Sequence, residues 1–221
     1  MTPVCRLIVA AALALLSALQ VRAQTPAVSR HADAPPVDLS DALEGLFATG
    51  GQRVVVGGRT CDFWWVKSLP LSAGTRGVSW SDVDEGTLVG AVLLSNGYHD
   101  IRGQTIKAGL YTLRLALQPG DGNHLGTAAH REFLLIAPTT VDDSAAAAGH
   151  DKAVDMARQS IGASHPGSWA IDPLESNAPP GTIVTADEGQ RAVVFEVPIS
   201  RDGRDLGTIR FGLVLVGSTR P

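Results

Sequence analysis

The sequence predicts a mainly β protein, an antiparallel β-sandwich-like domain with one covering α-helix. Six short segments are rich in β-branched and aromatic residues and are separated by clusters of Gly, Pro, Asn and Asp. The clearest of them alternates apolar and polar side chains with a period of two. Helical periodicity interrupts these segments only once, and the strand–helix–strand alternation of a parallel sheet is missing. An antiparallel sheet is therefore expected.

The first 23 residues are typical of a secretory signal peptide. Arg6 precedes an apolar run over residues 7–19, and small residues lead up to Ala23. The run is shorter than the roughly 20 residues of a membrane-spanning helix. Cys5 lies before the run and Gln24 would follow the cut, so a lipid anchor on cysteine is not expected. We expect cleavage after Ala23 and a periplasmic or secreted protein.

Charge and cysteine content restrict the mature chain further. Loss of residues 1–23 removes Arg6 and Arg22 and no acid, so the net charge changes from −4 to −6. This charge disfavours nucleic acid and anionic lipid as partners. Only Cys61 remains, so an intrachain disulfide is excluded and stability must come from a core. No later segment is apolar for long enough to span a membrane.

Residues 24–50 are expected to form a disordered lead and a short helix. The lead is polar, contains prolines and has no period. In the helix, Asp38 can cap the first turn, Leu39 and Leu43 lie on one face, and Gly50 can provide a left-handed end.

Residues 51–221 are expected to form a single β-rich domain. In the strand over residues 110–117, Tyr111, Leu113 and Leu115 share a face that should enter the core. Thr112 and Arg114 share the other face, which is expected to meet water. The last two strands are expected to form a hairpin across the turn at residues 201–205, with two opposed apolar sets: Val193, Phe195, Val197 and Ile199, and Ile209, Phe211, Leu213 and Leu215.

The helical periodicity occurs near residues 143–162. Apolar positions recur at spacings of three and four, Asp142 or Asp143 can cap the start, and Gly162 can end the helix. His150 lies on the apolar stripe, where a hydrogen-bonded core histidine is expected.

The connection over residues 118–130 is the leading candidate for a site. It is longer than the usual hairpin loop of about 2 to 5 residues, and long loops on a sheet often carry function. Its polar candidates for ligand binding are Asp121, Asn123, His124 and His130, with Arg114 or Glu132 at the rim. Asp121, His124 and His130 could also hold a divalent metal such as zinc. The alternative is that the Pro, Gly, Asp and Asn residues only form turns.

Trp64 and Trp65 are further candidates for ligand contact. As neighbours on a strand they point to opposite faces, so one can enter the core. The other either packs under a second layer or offers its ring to a sugar. Cys61, on the same strand, is expected to be a buried apolar residue. His99 could be oriented by Asp100, although an ordinary loop is the simpler interpretation.

Residues 102–138, "RGQTIKAGLYTLRLALQPGDGNHLGTAAHREFLLIAP", resemble a stretch of uncharacterised secreted proteins of bacteria. In those proteins a Gly-x-Tyr-Thr-Leu-Arg strand leads into a loop with Gln-Pro and Asp-Gly-Asn-His. The resemblance implies export and a β fold. It implies no activity and assigns no functional residue.

Common catalytic signatures are missing from the sequence. We find no Gly-x-Ser-x-Gly elbow, His-Glu-x-x-His motif, phosphate loop or dinucleotide fingerprint. The expected function is a non-enzymatic binding module, without a cofactor, for a partner protein, an envelope component or a glycan. The alternative is a metal-assisted hydrolase that uses the loop with His124 and His130.

Overall fold

A computed structural model describes residues 26–36, 38–100, 102–119, 130–174, 177–186 and 189–216 of the chain. It is 46% strand and 11% helix, which confirms a mainly β protein. The helices are α1 (Asp41–Glu44) and α2 (His150–Ile161), and a 3-10 turn covers Trp80–Asp82. No helix of the described residues is long and apolar enough to cross a membrane.

The strands are numbered in chain order. They are β1 (Ala27–His31), β2 (Gly51–Val56), β3 (Arg59–Trp65), β4 (Leu69–Pro70), β5 (Leu88–Leu94), β6 (Tyr98–His99), β7 (Thr105–Ile106), β8 (Gly109–Leu117), β9 (Glu132–Pro138), β10 (Ser168–Asp172), β11 (Ile183–Thr185), β12 (Arg191–Arg201) and β13 (Arg204–Val216). β1 and α1 both lie in the stretch expected to hold a disordered lead and a short helix.

One large sheet contains eleven of these strands. Its order is β1-β2-β3-β5-β8-β9-β10-β13-β12-β11, and β4 pairs in parallel with β12 outside this path. The other neighbours are antiparallel, and β6 and β7 form a separate hairpin. The sheet is curled, so β3 faces the β12–β13 pair: Phe63 lies 5.0 Å from Phe195, and Trp65 lies 5.2 Å from Phe211, between ring centroids.

The core fills the concave, inner face of the curled sheet. Tyr111, Leu113 and Leu115 of β8 are buried there, as the alternation predicts. The β12–β13 hairpin has the expected register, with Phe195 opposite Phe211. Its turn at Asp202 and Gly203 has positive φ at both residues, the geometry that lets a tight hairpin follow the strand twist. The predictions for the core-facing side chains of β8 and for the β12–β13 hairpin are thus confirmed.

The outer face of β8 differs from the expectation. Thr112 and Arg114 are both completely buried, so the prediction that they meet water is wrong. The segment between β9 and α2 covers them, and its Asp142 binds Arg114 through two hydrogen bonds of 2.6 Å. Thr112 also donates to Asp142. Arg114 therefore lies under this segment and not at the rim of a loop.

Helix α2 packs on the outer face of β8 and β9. Ala153 and Ala157 form a small apolar cluster there with Ala116 and Leu135. The helix begins at His150, later than expected, because Asp142 pairs with Arg114 and does not cap it. It ends at Gly162 in the left-handed conformation, as expected.

Candidate functional site

A cavity of about 270 Å³ lies where the two ends of the curled sheet approach each other. We call it the sheet-end cavity. One wall comes from β12 and the residues before β11, and the other from the ends of β1 and β2 and from β3. The lining residues are Arg30, His31, Ala48, Thr49, Gly50, Gly51, Gln52, Trp65, Val66, Pro180, Glu196 and Pro198.

The β12 wall is a stretch of strand edge between two shorter partners. β11 pairs with β12 as far as Val193, and Val194 exchanges hydrogen bonds with Thr182 and Gly181. β4 pairs with β12 again at Ile199. Glu196 and Pro198 lie between these contacts, and both line the cavity. The cavity exists because β11 ends before β4 begins along the same edge.

The opposite wall begins at β1, the terminal strand of the sheet. Gly181 approaches β1 closely, since a Cβ on Gly181 would lie 3.9 Å from Cγ1 of Val28. Even so, no backbone hydrogen bond joins β1 to residues 177–182 within the described chain. The two ends of the sheet therefore touch beside the cavity without pairing.

His31 is the least satisfied polar side chain at this site. Its side chain is 10% exposed, and neither ring nitrogen forms a hydrogen bond to a described residue. Nδ1 lies 3.6 Å from Oδ2 of Asp33, which is an ion-pair distance too long for a hydrogen bond. The ring packs edge-on against Trp64, 5.1 Å between centroids. It lies over Gly51, where a Cβ would come within 2.8 Å of Nε2.

Trp65 and Gln52 provide a fixed polar and aromatic pair. The indole N–H of Trp65 donates to Oε1 of Gln52 at 3.0 Å. Trp65 stacks on Phe63 and meets Phe195 edge-on, so the core holds its ring in place. The bond occupies the amide oxygen of Gln52 and leaves its NH2 group as a donor for a ligand.

The cavity has opposite charges on its two walls. Arg30 is exposed and pairs with no carboxylate among the described residues. Glu196, on the other wall, is a half-exposed acid whose Oε2 lies 3.7 Å from Nε of Arg210. A ligand that crosses the cavity can therefore meet a cation at one side and an anion at the other.

The residues predicted from the sequence are only partly brought together here. Trp65 lines the cavity, whereas Trp64 lies on the opposite face of β3 and donates to the backbone oxygen of Asp33. They are only 6% and 3% exposed, so neither is an open platform for a sugar. His130 is half-buried just before β9.

The remaining loop candidates, Asp121, Asn123 and His124, lie outside the described residues. Within the described chain, no group of three or more His, Cys, Asp or Glu residues is placed to hold a metal ion.

Three other titratable candidates have structural explanations. Burial, followed by the charge of Asp62, raises the pKa of Cys61 to about 12, so its thiol is protonated at neutral pH. Asp100 accepts the backbone N–H groups of Arg102 and Gln104, and His99 contacts Arg59. Nδ1 of His150 lies 3.3 Å from Oε1 of Glu85, so the ring is hydrogen-bonded as expected. The side chain is partly exposed, however, and does not lie in the core.

Sequence reasoning missed His31, Gln52 and Glu196. The first lies in the stretch expected to be disordered, and the signal for β1 is a run of only five residues that includes Ser, Arg and His. Gln52 and Glu196 belong to recognisable strands, but their strand patterns do not show where neighbouring strands end. The paired Gly50 and Gly51 were the available signal for a close approach of backbone and ring.

No protein-family model, curated protein or solved structure matches the chain. Function is therefore inferred from the residues that line the cavity. Its described lining combines hydrogen-bond donors, acceptors, an indole and two opposite charges, but includes no Ser or Cys nucleophile. Such a set suits binding and orientation of a polar ligand.

Proposed function

We propose that the protein is an exported, non-enzymatic binding module that holds part of a partner protein, an envelope component or a glycan in the sheet-end cavity. The main support for this proposal is the environment of His31. Its side chain is nine-tenths buried at this cavity, and neither ring nitrogen is paired with a described residue. A buried polar group without a partner is destabilising, commonly by about 1 to 3 kcal/mol. Both nitrogens are shielded from solvent, so a ligand would offset this cost by hydrogen-bonding to the ring once the ring has turned toward the cavity.

The described lining of the cavity holds no catalytic set, which supports binding over hydrolysis at this site. A hydrolase that acted at this cavity would need an activated nucleophile or a metal-bound water beside a base. The cavity lining offers Thr49 as its hydroxyl group, and no described base contacts it. The metal-assisted alternative uses the loop with His124 and His130, and of its metal candidates Asp121 and His124 lie outside the described residues.

The proposal includes the processing and the architecture of the mature protein. The signal peptide is removed after Ala23, and the protein acts in the periplasm or outside the cell. The two facing arms of the curled sheet serve as the layers of a sandwich, with α2 as the cover of one arm. Intact-mass measurement of the exported protein should give a chain that begins at Gln24. A mass that retains residues 1–23 would contradict export by this route.

Ligand binding can be tested by thermal unfolding with two defined probe sets. One contains soluble cell-wall glycan fragments, and the other contains short synthetic peptides. Thr49 is exposed and lines the cavity, so Thr49→Trp should block it. Thr140→Trp, at an exposed position after β9, is the matched control. At least one probe should raise the melting temperature of the wild type and the control, but not of Thr49→Trp. Failure of both probe sets would reject the cavity as a binding site.

A further inference from the structure

We infer that the ligand of the sheet-end cavity is an extended peptide segment of a partner protein, which adds as a short strand to β12 between β11 and β4. This inference rests on the proposed function and specifies its ligand. It follows from the direction of the backbone groups of β12, from the walls of the cavity and from its charges.

The alternation of hydrogen bonds along β12 determines which residues face the cavity edge. In an antiparallel pair, residues alternate between those bonded to the partner strand and those whose N–H and C=O point away from it. Val194 points away from β13, because its N–H and C=O bond to Thr182 and Gly181. Glu196 has the same parity and pairs in register with Arg210 without a shift. Its N–H and C=O therefore point to the edge where the cavity lies.

No described residue forms a backbone hydrogen bond to that edge of Glu196. Pro198, the next residue of this parity, has no N–H group, and its carbonyl oxygen accepts from the N–H of Leu69 in the pairing with β4. The edge stays occupied at Ser200, whose carbonyl accepts from the N–H of Leu71. Between the occupied positions, the strand thus presents one donor and one acceptor, both of Glu196. An extended peptide can pair with these groups at the strand spacing.

The position of Pro198 limits how such a strand can pair. Proline on an exposed edge weakens unselective pairing with other chains. The single N–H of Glu196 then becomes the donor on which backbone recognition depends. The cavity is short, so the added segment is short as well, and its side chains must contribute to affinity.

The residues of the cavity walls determine which side chains of the peptide are favoured. A strand placed along β12 faces the opposite wall, whose lining includes Trp65, Gln52 and Arg30. Arg30, without a described acidic partner, favours an acidic residue of the peptide. Glu196 favours a basic one. His31 can accept or donate a hydrogen bond, which suits either a peptide group or a polar side chain.

The test compares two substitutions at one position of the full-length protein. Glu196→Pro removes the N–H that the peptide requires, whereas Glu196→Ala keeps it and removes only the side chain. The proline should be tolerated, because that N–H has no described partner and Pro198 already occupies the same parity. The probe is a library of acetylated, amidated hexapeptides in which Val or Thr alternates with Asp, Lys or Ser. Binding is measured by fluorescence anisotropy.

We expect the best library member to bind the wild type and to lose affinity by about tenfold or more with Glu196→Pro, in line with the loss of one backbone hydrogen bond and a steric block. Glu196→Ala should change the affinity by less. Methylation of alternate backbone nitrogens of the peptide is an independent check on the wild type, and it should also abolish binding. This check does not depend on whether Glu196→Pro folds.

Two results would overturn the inference. In the first, Glu196→Pro folds and the methylated peptide binds as well as the unmodified one, which would place the peptide elsewhere. In the second, no peptide binds, but a glycan fragment raises the melting temperature and Thr49→Trp abolishes this effect. The second result would keep the proposed function and reject its peptide form. If neither probe set binds, both proposals fail.

Discussion

Arg114 and His31 are both buried polar side chains on this sheet, and their surroundings are opposite. Arg114 is completely buried and all five of its N–H donors are used: Asp142 accepts two, and backbone oxygens of Gly86, Ser144 and Ala146 accept the rest. His31 is one-tenth exposed and neither nitrogen is bonded to a described residue. The first environment is complete without a ligand, and the second is not.

Arg114 belongs to a structural polar cluster, whereas His31 belongs to a candidate binding site. The bonds of Arg114 fix the segment between β9 and α2 against the outer face of the sheet and tie it to the turn at Gly86. A buried ion pair is not in itself strong evidence for stability, but removal of one partner leaves an uncompensated charge. Breaking the Arg114 cluster should therefore affect folding, whereas changing His31 should affect binding.

The largest expected effect is that of Asp142→Ala. It removes both acceptors that Arg114 uses on this side chain and one of the two acceptors of Thr112, so the guanidinium stays buried without its counter-charge. We expect the free energy of unfolding to fall by about 3 to 5 kcal/mol. Urea denaturation followed by circular dichroism measures this change.

A double variant provides the control for that experiment. Arg114→Met with Asp142→Leu removes both charges and restores apolar volume, so it should be less damaging than Asp142→Ala alone. A loss below about 1 kcal/mol for Asp142→Ala would contradict the prediction. An equal loss in the double variant would not, because Arg114→Met also removes the donors to the carbonyl oxygens of Gly86, Ser144 and Ala146.

The second largest loss of stability is expected from a substitution at Gly51, which lies under the ring of His31. Gly51→Ala would place a Cβ 2.1 Å from the carbonyl oxygen of Phe63 and 2.8 Å from Nε2 of His31. The backbone oxygen cannot move away as a flexible side-chain end could, so β2 and β3 must separate locally. We expect a loss of about 1 to 3 kcal/mol in the free energy of unfolding, typical of overpacking. Gly45→Ala is the matched control, since nothing lies within 4 Å of its added Cβ. A Gly51→Ala variant as stable as the control would contradict the close approach.

How far the sequence predicts these regions depends on how local their causes are. The β12–β13 hairpin and the inner face of β8 follow from alternation and a tight turn, so they could be predicted. Alternation also placed Thr112 and Arg114 together, but it could not show that a segment some 30 positions later would cover them. The sheet-end cavity was harder still, because it depends on where β11 and β4 end along β12. Only Trp65 among its lining residues was a sequence candidate.

The third effect distinguishes His31 from Arg114 directly. His31→Phe keeps a ring against Trp64 and removes two nitrogen atoms that bond to no described residue. Replacing an unpaired buried polar group by an apolar one of similar shape is close to neutral or stabilising, so the free energy of unfolding should change by less than about 1 kcal/mol. Any probe that binds the wild-type cavity should bind this variant more weakly. A loss of stability as large as that of Asp142→Ala would mean that His31 is structural after all.

The smallest effect at neutral pH is expected at Cys61, a buried group that needs no partner while it remains protonated. Burial raises the pKa of its thiol to about 12, above the ordinary value of 9.0 that describes the unfolded chain. Between these values the unfolded chain releases the proton and the folded protein retains it, so the contribution of Cys61 to stability falls as the pH rises through this window and is constant below it. Cys61→Ala should therefore remove part of the alkaline decline in melting temperature and leave its slope between pH 6 and 8 unchanged. Thiol labelling at pH 8 should be slow in the folded protein and rapid in urea. Rapid labelling of the folded protein would show that the β3 thiol is accessible and that the pKa is not raised by burial.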